Sequence, residues 1–427
     1  MQNMVKFLLK IIYNGLWHIV LPFWMLLQLF SWKKNKKEFW ERLAVYPVSP
    51  WEKKPVIWFH GSSLGEVLSL WPFMKAIQRE IPHAQILSTQ TSRGRYIAEE
   101  KCQVDALVYL PLDVSYLIRR ALKRWNPDLV ILFETEIWPN LFWECEKQKI
   151  PVMIVSGRIS PRSFPRYKKA RFFFKNVLQN GYYLMQSQED QQRILEIGAS
   201  EDKVKICGDI KLDGIRTILS EEEKKFCETI FPGADPMLVA GSTHHGEESV
   251  LLDVYLSLKK KYQDLRLVLA PRHLDRVPEI TQWLQSQNRE YSLRSDLPST
   301  QAKDIVILNS YGELSKVYYR ASWVFVGGTI APVGGHNLME PAALGKPVLF
   351  GHHIGNCRKQ AQLLLEKNAG CMVYSRQELE EKLDFLLSHP QESWEMGRRG
   401  QDVVLANQGS MQKCLEEVKK FIRIEKS

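Results

Sequence analysis

The sequence predicts two parallel α/β domains in series, and three observations carry that prediction. Short apolar runs alternate with helix-period stretches along most of the chain, the pattern of parallel strands joined by crossover helices. The alternation lapses between residues 206 and 236 and then restarts. Finally, 427 residues exceed the roughly 250–300 at which a single core divides.

The chain begins with a different kind of segment. Residues 11–30, IIYNGLWHIVLPFWMLLQLF, contain no Asp, Glu, Lys or Arg, and about twenty such residues suffice to cross a bilayer. Asn14, His18, Pro22 and Gln28 interrupt it. The segment therefore reads as a membrane-anchor helix, either a tilted, kinked span or an interfacial helix; Trp17, Trp24 and Trp32 suit both placements. A core helix of a soluble domain is the alternative. No small-residue cleavage site follows, which argues against a removed signal peptide. Lys33, Lys34, Lys36 and Lys37 outnumber Lys6 and Lys10, which places the main body on the cytoplasmic side.

In the first domain the runs 56–59, 84–88, 106–110, 129–133, 152–155 and 182–185 read as strands, with helical patterns over 70–80 and 116–125. Gly208, Asp209, Asp213, Gly214 and the charged stretch 221–225 mark the junction. Strands resume at 237–240, 265–270, 305–308, 323–326 and 347–350, while 286–303 lacks periodicity and reads as a surface excursion. The expected organisation is an anchor over 1–32, a first domain over 33–212, a second over 213–405, and a helix over 406–427 that packs back on the first domain.

The composition is globular, 45% hydrophobic and 25% charged, and the net charge of +10 suits an anionic partner. Seven cysteines are scattered without a CxxC pair, so neither a zinc cluster nor a disulfide framework is signalled and a reducing compartment fits.

The motifs lie where strands empty into turns. HGSSLGEV leaves a strand and enters a helix near Glu66. A carboxylate there is expected to be held ionised by the helix terminus, as a general base requires; simple helix capping is the structural alternative. The loop has neither a Gly-Lys-Ser/Thr ending nor GxGxxG register, so ATP hydrolysis and a dinucleotide site are unsupported. In FETEIWPN, Glu134 and Glu136 are two apart, which in an extended segment puts both on one side. Arg158, Arg162, Arg166, Lys168, Lys169, Arg171 and Lys175 form a basic tract interleaved with aromatics, fit for RNA or for an anionic lipid headgroup, and the apolar N-terminus favours lipid.

In the second half, AGSTHHGE offers Ser242, Thr243 and, if protonated, His244 to a phosphate, with helix capping as the alternative, and Arg272 follows a strand with the geometry to pair with an anion. TIAPVGGHNLMEP follows an apolar run and two glycines; its backbone amides are expected to meet phosphate, and Asn337 and Glu340 to meet a sugar. The histidines match no zinc spacing, so no metal is expected.

Taken in order, HGSSLGEV, ILFETEIWPN, SGRIS, AGSTHHGEE, LAPRHLDR and GGTIAPVGGHNLMEPAALGKPV resemble the successive motifs of 3-deoxy-D-manno-octulosonic acid (Kdo) transferases, over nearly the whole chain. The resemblance implies a GT-B glycosyltransferase, two Rossmann-like domains facing a cleft. It implies inverting transfer of Kdo from CMP-Kdo to the lipid A precursor lipid IVA at the cytoplasmic face of the bacterial inner membrane. No cofactor, no catalytic metal and no nucleic acid partner are implied, and more than one Kdo is compatible. Glu66 becomes the base, and Glu134 or Glu136, with Glu136 preferred, a second essential acid. Ser242, Thr243, His244, Arg272, Gly334, Gly335, Asn337 and Glu340 fall on the donor side, and Ser63, Arg158, Arg162, Lys168 and Lys169 on the acceptor side. Familiar forms of the first loop read HAS or GAS followed by VGE; this chain reads GSSLGE, which leaves the glutamate in place. The rival readings are a GT-B enzyme using a UDP-sugar on another membrane lipid, an RNA-binding module and a non-catalytic membrane scaffold.

Overall fold

The computed structural model describes residues 2–31, 36–46, 55–230, 236–297 and 302–422; Trp32, Lys33 and Lys34 lie outside the described residues. The chain divides into two compact units, Met1–Gly214 with Gln408–Ser427, and Ile215–Asn407.

Among the described residues, unit 1 contains seven strands: β1 (Val56–His60), β2 (Ala84–Thr89), β3 (Ala106–Tyr109), β4 (Leu129–Phe133), β5 (Val152–Gly157), β6 (Tyr182–Met185) and β7 (Val204–Ile206). They form one sheet in the order β3-β2-β1-β4-β5-β6-β7, with every pair parallel. β1 and β4 are buried along their whole length, which is why they read as unbroken apolar runs. Alternate side chains feed two cores: Val56, Trp58, Val130 and Leu132 on one face, Ile57, Phe59, Leu129 and Ile131 on the other. The second core is completed from the far end of the chain. Cys414, Leu415 and Val418 of the helix Ser410–Lys419, and Ile422 beyond it, are buried there. Asp213 fastens that helix by accepting from the Gly409 N–H at 2.7 Å and from the N–H groups of Ser410 and Met411.

Unit 2 repeats the plan with β8 (Met237–Thr243), β9 (Arg266–Pro271), β10 (Ser292–Leu293), β11 (Ile305–Ile307), β12 (Trp323–Val326), β13 (Val348–Gly351) and β14 (Gly370–Val373). The order is β10-β11-β9-β8-β12-β13-β14, again parallel throughout. The stretch 286–303 is thus not simply a surface excursion: Ser292 and Leu293 pair with Val306 and Ile307 at the sheet edge. Two residues are too few to show a period.

In each sheet the first strand lies between strands reached in opposite directions, β2 and β4 in unit 1, β9 and β12 in unit 2. Ligands of open α/β sheets bind at the carboxyl ends of the strands at such switch points. HGSS ends β1 and follows it, and ETE follows β4; GSTHH ends β8 and follows it, and GGTI follows β12.

The chain opens with a helix, Gln2–Ser31. Within it Lys6–Leu26 is long and apolar enough to cross a membrane, with a mean hydropathy of 1.3.

Candidate functional site

The helix Leu64–Glu80 starts two residues before Glu66, near which the turn was expected to enter it, with Ser63 as its cap. The Glu66 N–H donates to Ser63 Oγ at 3.4 Å, the Ser63 hydroxyl donates to Glu66 Oε1 at 2.9 Å, and the Ser62 N–H donates to Oε2 at 2.9 Å. Glu66 therefore closes a variant of the capping box while standing at the switch point, where its carboxylate faces the carboxyl edge of the sheet's loops. Burial, rather than the helix end, is the largest influence on its charge. Burial pushes the Glu66 carboxyl above the ordinary glutamate value, the hydrogen bonds from Ser62 and Ser63 pull it down, and the charges of Glu136 and Glu134 push it further up.

The ETE segment is not extended. β4 ends at Phe133 and Glu134 turns into the left-handed region at φ 58°, so the two carboxylates part. Glu134 pairs with Lys211. Glu136 Oε2 lies 3.8 Å from His60 Nε2. His60, the last residue of β1, is fully buried; its Nδ1 lies 2.9 Å from Ser88 Oγ, and its Nε2 has no hydrogen-bond partner among the described residues. Sequence reading passed over His60 as the end of a buried strand. Its position just before a Gly-Ser-Ser turn is the signal that was available.

In unit 2 the end of β8 is bulged, with a register shift between Gly241 and Thr243 and Ser242 at φ 57°. One expectation fails here. Thr243 is fully buried and its hydroxyl has no partner among the described residues, so it is not presented to a surface ligand. His244 is turned toward a second histidine. Its ring stacks on His336 with centroids 5.1 Å apart, the two Nε2 atoms lie 2.8 Å apart, and one proton serves both nitrogens. Burial, helped by the neighbouring His244 and Arg272, pushes His336 down to about 4, and burial lowers His244 as well. His273 meets His244 edge-on at 5.7 Å. Among the described residues no group of three or more His, Cys, Asp or Glu is arranged to hold a metal ion.

The turn after β12 is organised by a residue the sequence reading did not single out. Glu247, the first residue of the helix Glu247–Lys259, is fully buried. Its Oε2 accepts from the N–H groups of His244 (2.9 Å) and Gly328 (2.7 Å), and its Oε1 from Thr329 (3.0 Å), Ile330 (2.9 Å) and Ala331 (3.1 Å). The Gly334 and Gly335 amides donate to Gly328 O. The amides of Thr329, Ile330, Ala331, Gly334 and Gly335 are thus already spent, since each N–H has one proton to give. What Gly335 contributes is shape: at φ 83° a Cβ would stand 2.5 Å from Cys357 Sγ.

The polar groups left on this edge are side chains. Asn337 Nδ2 donates to Glu340 Oε1 at 3.0 Å. Burial raises the Glu340 carboxyl, opposed by that bond and by the charge of Arg272. Arg272 is exposed, its backbone N–H fixed on Thr243 O at 3.0 Å. Ser242, at the end of β8, His244, Arg272 and Asn337 on the following turns, and Glu340 in the first turn of the helix Met339–Ala343 therefore stand at the carboxyl edge of β8, β9 and β12, as a nucleotide site requires.

On the other unit, Arg158 and Arg162 are exposed beyond β5, and Lys168 and Lys169 end the helix Phe164–Lys169. Lys168 is engaged with Glu196 at 2.7 Å. Phe164, Tyr167, Phe173 and Phe174 pack on the core, while Phe172 is exposed. That removes the row of free rings a base-stacking RNA surface would need.

The family profile described as 3-deoxy-D-manno-octulosonic-acid transferase (kdotransferase) matches residues 37–214. A 3-deoxy-D-manno-octulosonic acid transferase of Chlamydophila psittaci is 30% identical over 378 residues, 86% of either chain. A bifunctional glycosyltransferase/methyltransferase of Fusobacterium nucleatum is 33% identical over 357 residues, 81% of this chain; this chain spans 55% of its length. Among solved structures, a UDP-GlcNAc 2-epimerase of Neisseria meningitidis superposes with a TM-score of 0.60 at 16% identity, over 86% of this chain and 100% of that one. That likeness concerns the fold alone, the GT-B arrangement of two Rossmann-like units. With the relatives' similarity running through both units and the glutamate-bearing turn at the first sheet's switch point, the chain belongs to the Kdo transferase family of lipopolysaccharide biosynthesis.

Proposed function

We propose that this protein transfers Kdo from CMP-Kdo to lipid IVA at the cytoplasmic face of the inner membrane, with inversion at the anomeric centre and Glu66 as general base. The observation that carries the reading is Glu66 itself: a carboxylate fixed by Ser62 and Ser63, at the end of the first strand, with its proton affinity raised by burial and by two neighbouring acids. A base is most effective when its pKa approaches the working pH, and general acid–base catalysis contributes about 10²–10⁴ in rate.

In this reading Glu66 removes the proton from an acceptor hydroxyl as that oxygen attacks Kdo's anomeric carbon. A single displacement inverts the centre, and the proton stays on the carboxylate. CMP departs with the bonding pair. Arg272 balances the phosphate charge, and Glu340, held by Asn337, accepts from ribose hydroxyls. Arg158, Arg162 and Lys169 meet the acceptor's phosphates. No metal is assigned a step.

The test is transfer by purified full-length protein from freshly generated CMP-Kdo to lipid IVA, with products resolved by mass. Product masses one or more Kdo units above the acceptor support the reading and count the sugars. Glu66→Gln should lower turnover by about 10²-fold or more while CMP binding persists. Tight binding of UDP-sugars in place of CMP would move the assignment to another sugar nucleotide.

A further inference from the structure

We infer that His60 is a positioning residue for the transfer reaction: anchored through Nδ1 on Ser88, it presents an Nε2–H that holds the Glu136 carboxylate in place at the switch point of the first sheet. The inference rests on the reading of Glu66 as the base.

The register of the sheet builds the arrangement. β1 and β2 pair with His60 beside Ser88, and because side chains alternate along a strand, His60 shares the face of Trp58. Ser88 serves both. It is fully buried, its hydroxyl oxygen accepts from the Trp58 indole N–H at 2.8 Å, and its single proton has two acceptors in reach, Phe59 O at 3.3 Å and His60 Nδ1 at 2.9 Å. The shorter contact is the imidazole. A neutral imidazole carries one proton, so a ring that accepts at Nδ1 donates from Nε2.

On the Ser88 side alone the opposite tautomer would also be served, because Nδ1 lies 3.1 Å from Ser88 O. It fails at the other end of the ring. Nε2 is buried without a hydrogen-bond partner among the described residues and faces Glu136 Oε2 at 3.8 Å. A bare lone pair there would set two acceptors against each other out of water, and a buried acceptor left unsatisfied is costly. With the proton on Nε2 the same two atoms are donor and acceptor. Contacts of this kind tighten when substrate binds.

The consequence reaches Glu66 through Glu136. Burial is the largest influence on the Glu66 carboxyl, and the charge of Glu136 pushes it up further. A Glu136 side chain released from His60 would carry that charge away, and Glu66 would lose part of the rise. The neighbouring groups do not replace His60: Glu134 is paired with Lys211, and the Tyr167 hydroxyl is raised by burial and then by Glu136. His60 is itself fully buried, so it acts through Glu136.

Two substitutions separate this role from a purely structural one. In His60→Gln the amide nitrogen stands where Nε2 stood; in His60→Asn the side chain ends at the position of Nδ1, keeping the contact with Ser88 and losing the donor to Glu136. Full-length protein is assayed for transfer from CMP-Kdo to lipid IVA across pH, with folding followed by thermal unfolding. His60→Gln should keep the acidic limb of kcat/KM at the parent's pH. His60→Asn should move it to lower pH as far as Glu136→Gln does, with kcat several-fold lower at neutral pH and an unchanged KM for CMP-Kdo. Adding Glu136→Gln to His60→Asn should move the limb no further, since both act on one charge. The reverse pattern, Asn like the parent and Gln shifted, would assign His60 to strand packing on Ser88 and overturn the inference, as would additive shifts. Independently of turnover, the His60 ring nitrogens, identified with isotope-labelled histidine by their loss in His60→Gln, should show a protonated Nε2 and a bare Nδ1; the opposite tautomer refutes the assignment. Full turnover in Glu66→Gln would remove the base reading itself, whereas a limb that depends on Glu66 and ignores His60 removes this inference alone.

Discussion

Glu66 is where local chemistry and fold meet most closely. Its capping role fixes the carboxylate, and its surroundings set the charge. Glu136 raises the Glu66 carboxyl through its own negative charge, so Glu136→Gln should bring that pKa down. As the proposed base, Glu66 acts only above its pKa. The acidic limb of kcat/KM therefore lies above the usual glutamate range in the parent and should move to lower pH in Glu136→Gln; a limb that stays put or moves up contradicts the arrangement. Much of this site was legible because a Gly-Ser-Ser-x-Gly-Glu turn after an apolar run has few structural meanings. Its electrostatics were not. The left-handed turn at Glu134 and the approach of His60 to Glu136 arise from packing between strands 28 or more residues apart, and no local pattern records them.

Among the elements, the turn after β12 depends on a helix that begins elsewhere in the chain. Glu247 reaches amides 81 to 84 residues away, yet in the sequence it reads as an ordinary acid in a helix's first turn. In Glu247→Gln one acceptor oxygen becomes an NH₂ facing N–H groups, and hydrogen bonds to a charged acceptor are worth about 1.5–3 kcal/mol each. Urea unfolding of unit 2 should show a loss of at least about 2 kcal/mol, together with weaker CMP binding. Unchanged stability would mean the carboxylate does not organise the turn. The longer strands were readable because burial on both faces makes them continuous apolar runs; Val204–Ile206, Ser292–Leu293 and Gly370–Val373 are too short or too mixed to stand out, and their partners alone define them.

For the whole molecule, unit 1 is discontinuous in sequence and unit 2 is continuous. Removing residues 408–427 would strip Cys414, Leu415, Val418 and Ile422 from a core of unit 1. Large buried side chains cost about 2–5 kcal/mol each when truncated, which exceeds the usual 5–15 kcal/mol margin once several go together. The truncated chain should lose the unit 1 transition in calorimetry and keep that of unit 2. Two retained transitions would show that the returning helix is dispensable.

That discontinuity also sets an order of events on the ribosome. The helix Gln2–Ser31 is made ahead of the sheet of its unit, but that unit lacks part of one core until Ser410–Lys419 has been made, some two hundred residues after Gly214. Unit 2 is complete before then and is free to fold at once. The helix Gln2–Ser31 must therefore wait through the making of unit 2 beside an unfinished platform, its apolar face open to a nearby bilayer or a chaperone. Maturation of the first sheet waits on the helix Ser410–Lys419.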